Sequence, residues 1–372
     1  MKKNQRLVGI IHQLTMGGAE RMMVQILNHF VSEGIDVHLI LFQNKGIHKD
    51  SLDDRIIIHD LDSTSVTKGI IKCLRRVYTI QPDIVFSGIG HVNISLASFI
   101  PFMKVFLPKS RWISRETNIV SLKIKKEKYP KIFNFLYKTV YQNYDVVIAQ
   151  SKDMQDDLKI NYPKSAKKSL VINNPVNIES IQSLVSSEIS FTFDKDKIYL
   201  LTVGELRKTK RQDLLLEAFA KLPLNYRLII VGTGKEEEVL KSLAFSLDID
   251  SRVYFEGYQH NPFSYMAQAD LFLLTSEHEG FPNVLLEANS IGTPIVAFNC
   301  QGGISEIIEE GLNGFSVPFG DVNKLALTIE KAMKKNLKKE LIIDLMKQRY
   351  THNIILKEYE NIFFQEKVLN EL

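Results

Sequence analysis

The chain has 372 residues, a net charge of +4, 45% hydrophobic residues and 24% charged residues. This length predicts two globular domains, and the composition excludes disordered, collagen-like and coiled-coil proteins. The two cysteines, Cys73 and Cys300, lie far apart in the sequence and show no C-x-x-C spacing, so neither a disulfide framework nor a zinc site is expected, which fits a reducing cytoplasm. No stretch approaches the roughly 18 apolar residues of a spanning helix, and the N-terminal apolar run is too short for a signal peptide, so we expect a cytoplasmic protein.

Short β-rich runs alternate with helical patterns along most of the chain, which predicts an α/β protein with parallel sheets. In the first half the predicted strands cover 7–13, 37–42, 83–88, 111–115, 145–150 and 169–174, with a helix over 19–33. In the second half they cover 198–204, 226–232, 252–257, 270–276 and 293–298. The segment from 323 onward is predicted to be helical, and it ends in a helix over 352–370.

These runs predict two doubly wound, Rossmann-like domains, with Pro175 as a hinge between them. Residues 1–178 form the predicted N-terminal domain, and residues 179–351 form the predicted C-terminal domain. Residues 352–372 are predicted to cross back to the first domain. The carboxyl ends of both sheets should face a cleft, because ligands bind at those ends in such folds.

Basic residues are concentrated in the first half. Residues 1–178 carry 26 Lys and Arg against 15 Asp and Glu, whereas residues 179–372 carry 21 against 28. Segment 104–138 holds ten basic and two acidic residues, interleaved with apolar ones. This pattern predicts peripheral association with an anionic membrane surface, although a solvated lysine-rich loop beside an ordinary amphipathic helix has the same composition. No nucleic-acid-binding motif accompanies it, so nucleic acid is not expected as a partner.

A pair of glycines follows the first predicted strand and opens the first helix. Gly17 and Gly18 would let the backbone approach a ligand closely, and the start of the helix favours a phosphate. The motif is neither a dinucleotide-binding fingerprint nor a Walker A loop. A tight strand-to-helix turn is the simpler alternative.

The strongest signal is SEHEGFPNVLLEA (276–288), which follows a buried strand. Pro282 is predicted as the first residue of a helix, which places Glu279 and Gly280 in the preceding loop and Glu287 two turns into the helix. The start of this helix could hold a diphosphate on clustered backbone amides, namely those of Phe281, Asn283 and Val284.

Together with GGAER (17–21) and GTPIVAFNCQGGISEIIEEGLNGFSVPFGD (292–321), this motif resembles the family 4 retaining glycosyltransferases of the GT-B fold. The resemblance covers nearly the whole chain and is densest over 199–321. It is especially close to bacterial enzymes that extend lipid-linked oligosaccharides for O-antigen, capsule or protein glycosylation.

The resemblance implies that the N-terminal domain (1–178) binds the acceptor and the C-terminal domain (179–351) binds the nucleotide sugar. It also implies roles for several residues. Glu279 would lie beside the hydroxyls of the donor sugar, and Glu287 would hold the ribose. The amides from Gly280 to Val284 would meet the sugar and the diphosphate, and Gly17 would approach them from the other domain. The loops that contain Gly232 and Tyr258 would pass near the base of the nucleotide, so that Gly232 and the backbone of Tyr258 could contact it.

The segment VGELRKTKRQDLLLEAF (203–219) both matches the family and departs from it. Lys210 matches a family lysine that neutralises the leaving diphosphate. Glu205 stands where the family commonly has an arginine and cannot perform that function. Arg207 or Lys208 could substitute for it, although a basic surface turn has the same sequence.

The first domain supplies three further polar candidates on the acceptor side. Relatives often place a histidine near the reacting centre where this chain has Glu116 or Thr117. His91 follows another predicted strand and could also face the cleft, although a structural histidine is the alternative.

Three pairs of aspartates have the D-x-D spacing that binds a metal–nucleotide complex in glycosyltransferases of the other major fold. They fall in polar loops away from the glycine and glutamate motifs, and no metal is expected; the pairs are Asp60 with Asp62, Asp194 with Asp196, and Asp248 with Asp250.

The sequence therefore predicts a retaining, metal-independent hexosyltransferase or N-acetylhexosaminyltransferase in surface polysaccharide synthesis. Its donor would be a nucleotide sugar, most simply UDP-linked, and this donor is a substrate, so no cofactor is expected. The acceptor would be a glycan hydroxyl linked to a polyprenyl diphosphate at the inner face of the cytoplasmic membrane. A non-catalytic sugar-nucleotide binding protein and a glycoside hydrolase with paired carboxylates are the alternatives.

Overall fold

The structure is a computed structural model that describes residues 5–15, 17–186, 189 and 191–364. Its strands are β1 (Arg6–Ile11), β2 (Asp36–Leu41), β3 (Ile57–Asp60), β4 (Ile84–Ser87), β5 (Arg111–Arg115), β6 (Val146–Ala149), β7 (Ser169–Val171), β8 (Ile198–Val203), β9 (Tyr226–Val231), β10 (Val253–Gly257), β11 (Leu271–Leu274), β12 (Ile295–Asn299) and β13 (Gly314–Pro318).

The helices lie between these strands and after them. They are α1 (Gly18–Ser32), α2 (Val66–Ile80), α3 (Gly90–Ala97), α4 (Ile100–Phe106), α5 (Val120–Lys125), α6 (Pro130–Thr139), α7 (Lys152–Asn161), α8 (Pro163–Ala166), α9 (Ile178–Leu184), α10 (Gln212–Phe219), α11 (Glu237–Ser246), α12 (Phe263–Gln268), α13 (Asn283–Ile291), α14 (Ile304–Ile307), α15 (Val322–Lys335), α16 (Lys339–Arg349) and α17 (His352–Phe364). Short 3-10 turns cover Ile47–Ser51, Tyr141–Asn143, Lys208–Lys210 and Asp250–Arg252. No helix in the described part of the chain is both long and apolar enough to cross a bilayer.

The chain divides into two compact units, each built on one parallel sheet. The first unit comprises Met1–Asn174 with Ile355–Leu372, and the second comprises Pro175–Ile354. The first sheet has the order β3-β2-β1-β4-β5-β6-β7, and the second has the order β10-β9-β8-β11-β12-β13. Both orders run outward in two directions from a central pair of strands, which confirms the predicted doubly wound folds.

The predicted strands are all present, but the two edge strands β3 and β13 were missed. Strand β3 is partly exposed along its length, so it lacks the apolar run that marks the central strands. Strand β13 begins with a glycine and ends with a proline, which argue against a strand in sequence. Both residues are accommodated at the sheet edge. A side chain at Gly314 would collide with the backbone of Ile295 on the neighbouring strand.

The chain leaves the first unit after Asn174 and enters the second unit at Pro175. It returns to the first unit after Ile354. The boundary was predicted after residue 178, but the second unit already begins at Pro175. The difference arises because Val176 and Ile178 pack in the core of the second unit. The backbone N–H of Val176 also donates to the carbonyl of Tyr350, at 2.7 Å.

Helix α17 packs on the first unit. Its apolar side chains join the core under β1 and α1, and the rings of Phe363 and Phe30 stack with their centroids 4.9 Å apart. The described part of this helix ends at Phe364, so residues 365–370 of the predicted helix, and 371–372 of the predicted crossing segment, lie outside the described residues.

Candidate active site

The polar residues predicted in the second unit lie at the carboxyl edge of its sheet. Its strand order changes direction between β8 and β11, and such a switch point opens a crevice where doubly wound folds bind ligands. Lys210 lies in the 3-10 turn that follows β8, and Glu279 lies in the loop that follows β11. The two loops leave adjacent strands, so they flank this crevice.

One side-chain and one backbone hydrogen bond join these two loops. The Thr275 hydroxyl donates to the carbonyl of Lys210 at 3.0 Å. The N–H of Glu277 donates to the carbonyl of Thr209 at 2.9 Å. These bonds fix the position of Lys210 relative to the loop that carries Glu279.

Lys210 and Glu279 form an ion pair in this crevice. The Lys210 ammonium donates to Glu279 Oε1 at 2.7 Å, and the two side chains are 18% and 13% exposed. At this distance and degree of burial the pair is a charge-assisted hydrogen bond screened from most of the solvent. The sequence placed both residues in the site but did not foresee that they bind each other.

Glycines bring neighbouring loops into backbone contact around the pair. Gly232 has φ 137°, and a side chain there would collide with the carbonyl of Gly204 after β8. Gly302 has φ 119°, and a side chain there would collide with the carbonyl of Glu279. The sequence prediction named Gly232 and missed Gly302. The signal that was available for Gly302 is the glycine pair shortly after the strand predicted over 293–298.

Helix α13 starts beside the loop of Glu279. The helix begins at Asn283, so Pro282 precedes the first helical residue and is not the first residue as predicted. The backbone N–H groups of the first turn lack partners within the helix and could face an anion. Glu287 is buried, at 8% exposure, and lies in the second turn.

The residues around the start of α13 that were predicted to bind the donor substrate differ in burial. Phe281 is buried in the core of the second unit, with its ring 5.8 Å from that of Tyr350, so its backbone is the part available to a ligand. Gly280 is also buried, whereas Asn283 and Val284 are half-buried.

Gly232 and Tyr258 lie after β9 and β10 at the same sheet edge. The N–H of Gly232 donates to the carbonyl of Gly257 at 2.7 Å, which joins the two loops. Tyr258 is 47% exposed, and its ring lies 5.1 Å from that of His260. The predicted nucleotide contacts therefore share an edge with Lys210 and Glu279.

Glu205, which stands where the family commonly has an arginine, pairs with Arg207, the residue predicted to substitute for that arginine. Arg207 Nη1 lies 3.5 Å from Glu205 Oε2, and both side chains are more than half exposed, at 54% and 62%. Such an exposed pair contributes little to stability, so Arg207 can leave it for another anion at small cost.

In the first unit, Gly18 is the first residue of α1 and Gly17 directly precedes the helix, so the glycine pair lies at the helix start as predicted. Glu20 lies in the first turn and accepts a hydrogen bond from the Thr15 hydroxyl at 3.1 Å. A side chain at Gly17 would collide with the Glu20 carboxylate. A phosphate at this helix start would thus meet a carboxylate, which weakens the favourable field expected from the helix.

The predicted acceptor-side residues lie at the carboxyl edge of the first sheet. His91 is half-buried and stands edge-to-face with His12, with ring centroids 5.7 Å apart. Glu116 is buried at 1% exposure, and Thr117 is half-buried. Burial raises the pKa of Glu116 above its ordinary value. The Lys123 ammonium and hydrogen bonds from Tyr141, Asn93 and Tyr137 act in the opposite direction and lessen this rise.

The aspartate pairs with D-x-D spacing include two that form local turns. Asp60 accepts from the N–H of Asp62 at 2.9 Å, and Asp194 accepts from the N–H of Asp196 at 3.0 Å. Within the described ranges, three potential metal ligands come together at one place: His29 on α1, Glu33 directly after α1, and Glu360 on α17.

Two curated relatives from Campylobacter jejuni span most of the chain. N-acetylgalactosamine-N,N'-diacetylbacillosaminyl-diphospho-undecaprenol 4-alpha-N-acetylgalactosaminyltransferase is 28% identical over 329 residues, which are 86% of this chain and 88% of that protein. GalNAc-alpha-(1->4)-GalNAc-alpha-(1->3)-diNAcBac-PP-undecaprenol alpha-1,4-N-acetyl-D-galactosaminyltransferase is 26% identical over 351 residues, which are 90% of each chain.

Among solved structures, Anabaena Alr3699/HepE in complex with UDP superimposes with a TM-score of 0.78. The two chains are 21% identical, and the match covers 99% of this chain and 100% of that one, which shows the shared GT-B fold. The family model described as Glycosyltransferase Family 4 matches residues 16–180, and the model described as Glycosyl transferases group 1 matches residues 187–348. The chain therefore belongs to the family 4 glycosyltransferases of the GT-B fold.

Proposed function

We propose that the protein is a retaining glycosyltransferase that moves a hexose or N-acetylhexosamine from a UDP-sugar to a hydroxyl of a polyprenyl-diphosphate-linked glycan. The observation that carries the proposal is the Lys210–Glu279 pair at the switch point of the second sheet, next to the start of α13. One cation, one carboxylate and a set of helix amides meet at this point, and groups of these kinds can bind a sugar diphosphate.

Each group has a distinct role in this proposal. Lys210 and the first amides of α13 neutralise the diphosphate, and Glu287 accepts hydrogen bonds from the ribose hydroxyls. Glu279 accepts from hydroxyls of the donor sugar. Lys210 contacts Glu279 in the structure, and this contact supports a position of the ammonium beside the bond between sugar and diphosphate in the proposed complex.

The reaction balances without a protein nucleophile. The bond between the anomeric carbon and the diphosphate oxygen breaks, and its electron pair leaves with UDP. The acceptor oxygen bonds to the same face of that carbon, and its proton passes to the departing phosphate. The protein contributes positioning and charge stabilisation, and neither a metal nor a cofactor takes part in this proposal.

The relatives support the choice of substrates. The two Campylobacter proteins are named for transfer to diphospho-undecaprenol-linked saccharides, and the solved structure of Alr3699/HepE holds UDP. A role in lipopolysaccharide, O-antigen or capsule synthesis follows from the same likeness.

The acceptor lipid would bring the protein to the cytoplasmic face of the membrane. Segment 104–138 supports this membrane association, although fewer of its basic residues are exposed than the sequence suggested. Arg115 is buried, Lys104 pairs with Asp145, and Arg111 and Lys123 are half-buried. Six lysines remain exposed: Lys109, Lys125, Lys126, Lys128, Lys131 and Lys138.

Exposed apolar side chains accompany these lysines. Of the aromatic residues in and beside the segment, Trp112 and Tyr137 belong to the core. Large apolar side chains that are at least 48% exposed occur on and beside α4 and α6: Phe102, Val105, Phe106, Tyr129, Ile132 and Phe135. We propose that lysines and apolar residues together dock on anionic lipid.

Flotation with vesicles tests this docking surface. The wild type should float with phosphatidylglycerol-containing vesicles and not with phosphatidylcholine alone. Binding should weaken with salt, because the screening length falls from about 10 Å at 0.1 M to about 3 Å at 1 M. Changing Lys125, Lys126, Lys128 and Lys131 to Glu should release the protein. The same charge change at Lys221, Lys324, Lys338 and Lys347 of the second unit is the control, and equal flotation of both variants would contradict the proposed surface.

A panel of nucleotide sugars tests the enzymatic proposal. A UDP-sugar at about 100 times its dissociation constant should raise the free energy of unfolding by about 2.7 kcal/mol, and UDP should be released when acceptor is present. Lys210→Met should slow this release by about a hundredfold or more, whereas Lys221→Met, at an exposed lysine of the same unit, should not. Binding of a UDP-sugar without UDP release would contradict the proposal and indicate a non-catalytic binding protein.

A further inference from the structure

The described part of the first unit holds a cluster of three potential metal ligands at the amino edge of its sheet. His29 lies in the last turn of α1, Glu33 directly follows that helix, and Glu360 lies on α17. Their ligand atoms, one imidazole nitrogen and two carboxylate oxygens, all lie within 4.8 Å of one another. Helix α1 starts after the carboxyl end of β1 and runs back toward β2, so its last turn lies opposite the edge where such folds bind their ligands.

The geometry of α1 brings His29 and Glu33 together. The two residues are four positions apart, so they lie on the same face of the helix in successive turns. The backbone N–H of Glu33 donates to the carbonyl of His29 at 3.1 Å, which keeps Glu33 in helical register at the end of α1. Metal ligands on one helix commonly have this spacing, because both side chains then reach the same ion.

Apolar packing brings the third ligand to this pair. The rings of Phe363 and Phe364 on α17 both contact the ring of Phe30, with centroids 4.9 Å and 5.4 Å apart. Phe30 is the neighbour of His29, and Glu360 lies one turn before the two phenylalanines. Glu360 Oε1 therefore comes within 2.8 Å of His29 Nε2, although the two residues are 331 positions apart in the chain.

A cation can enter this cluster without movement of the backbone. Zn²⁺ binds imidazole nitrogens and carboxylate oxygens at about 2.0–2.2 Å, so two such atoms on a tetrahedral ion lie about 3.4 Å apart. His29 and Glu360 are slightly closer than this, and rotation of the side chains suffices to adjust the distances. The side chains of His29 and Glu360 are each 20% exposed and Glu33 is exposed, so water can reach the ion as its fourth ligand.

The donor atoms and the charge of the cluster select the kind of ion. An imidazole together with carboxylates suits a transition ion such as Zn²⁺, whereas Mg²⁺ and Ca²⁺ prefer oxygen ligands alone. The two carboxylates supply negative charge, and the last turn of α1 adds the negative end of the helix dipole. The cluster therefore favours a divalent cation over an anion.

We propose that His29, Glu33 and Glu360 form a structural Zn²⁺ site that holds α17 on α1. This site is independent of the proposed function, because the ion takes no part in sugar transfer and acts on the stability of the first unit. The simpler alternative is an ion pair between His29 and Glu360 alone, in which Glu33 has no role and Zn²⁺ has no effect.

Calorimetry with zinc chloride, on protein freed of metal with EDTA, tests the site at pH 7.5. One Zn²⁺ should bind per chain. His29→Gln and Glu33→Gln should each weaken binding about tenfold or more, because each removes a ligand. Glu33→His, which replaces one zinc ligand by another, should keep binding. His260→Gln and Glu340→Gln, at exposed positions of the second unit, are the matched controls and should bind Zn²⁺ like the wild type.

Urea unfolding gives a second measurement. Zn²⁺ at about 100 times its dissociation constant should raise the ratio of folded to unfolded wild-type protein about a hundredfold, because the complete site exists only in the folded chain. The same concentration of Mg²⁺ should not. Glu33→Gln should lose the Zn²⁺ effect while keeping the contact between His29 and Glu360, and its unfolding without metal checks that it is folded.

Three results would overturn the proposal. These are absence of Zn²⁺ binding to the wild type, unchanged binding in Glu33→Gln, and equal stabilisation by Mg²⁺ and Zn²⁺. The second would leave only the ion pair of His29 and Glu360, and the third would indicate general screening of charge. None of these measurements uses UDP release, so failure of the proposed glycosyltransferase activity would leave the result on Zn²⁺ unaffected.

Discussion

Lys210 and Glu279, 69 positions apart in the chain, are joined by a 2.7 Å hydrogen bond between the ammonium group and one carboxylate oxygen. Lys210 follows β8 and Glu279 follows β11, the two strands that border the switch point of the second sheet. In the absence of donor the two charges neutralise each other. A bound donor would give Lys210 a phosphate and Glu279 a sugar hydroxyl, so the site is arranged before the substrate arrives.

The first prediction concerns the energy of this pair. Lys210→Met and Glu279→Gln should each lower the free energy of unfolding by about 1–2 kcal/mol, because each leaves a largely buried charge without its partner. The double variant should lose clearly less than the sum of the two. Urea unfolding of the four proteins measures this coupling, and additive losses would show that the pair is not an energetic unit.

The second prediction separates the two glutamates. Glu287→Ala should weaken UDP binding about tenfold to a hundredfold, because a charge-assisted hydrogen bond to the ribose is worth roughly 1.5–3 kcal/mol. Glu279→Gln should keep UDP affinity and reduce turnover, since its proposed partner is the sugar. Calorimetry with UDP makes the comparison, with Glu277→Gln in the exposed part of the same loop as control. Equal losses of affinity for Glu279 and Glu287 variants would refute this division.

The third prediction concerns the departure at position 205. If Arg207 replaces the family arginine at the diphosphate, Arg207→Ala should slow UDP release, and adding Glu205→Arg should restore it. The exposed contact between Glu205 and Arg207 makes this shift of Arg207 inexpensive. Initial rates of UDP release decide the matter: a silent Arg207→Ala would remove Arg207 from the site.

The fourth prediction follows from the pKa of His91, which burial, Lys123 and His12 lower to about 4 in the folded protein against an ordinary value near 6.5. Between these values the unfolded chain binds a proton that the folded protein does not, so stability falls as the pH drops through this range. Protonation of this histidine in the unfolded chain should therefore lower the free energy of unfolding of the wild type by about 2 kcal/mol between pH 7 and pH 5.

His91→Gln should remove that part of the pH dependence. The comparison is of urea unfolding at the two pH values, in which the histidines that do not contact His91 contribute equally to both proteins and cancel. His260→Gln, at an exposed histidine of the second unit, is the control. The same pH dependence in wild type and His91→Gln would mean that His91 titrates normally.

Sequence patterns were sufficient for the central strands and for the residues that follow them. Glu279 and Glu287 could be placed because each stands at a fixed distance from an apolar strand or a helix start, whereas Lys210 was assigned through the family resemblance. The bond between Lys210 and Glu279 could not be predicted. It depends on β8 lying beside β11, and strand order is not encoded in any local pattern.

Burial was the second quantity that the sequence did not reveal. Counting charges over 104–138 treats Arg115 like Lys125, yet Arg115 is buried and donates to the hydroxyl of Tyr359 at 2.9 Å. Lys123 was likewise counted with the membrane-facing lysines, although it lies half-buried near Glu116. Long-range contacts, which a linear pattern cannot show, decide which basic residues remain at the surface.

The most direct test of the central claim is proton NMR of the product formed from an α-linked UDP-sugar and a glycoside acceptor. The proposal predicts UDP together with a product whose new linkage is α, because the acceptor attacks the face from which the diphosphate leaves. Lys210→Met should form this product far more slowly. A β-linked product from the wild type would contradict the retaining mechanism assigned to the Lys210–Glu279 site.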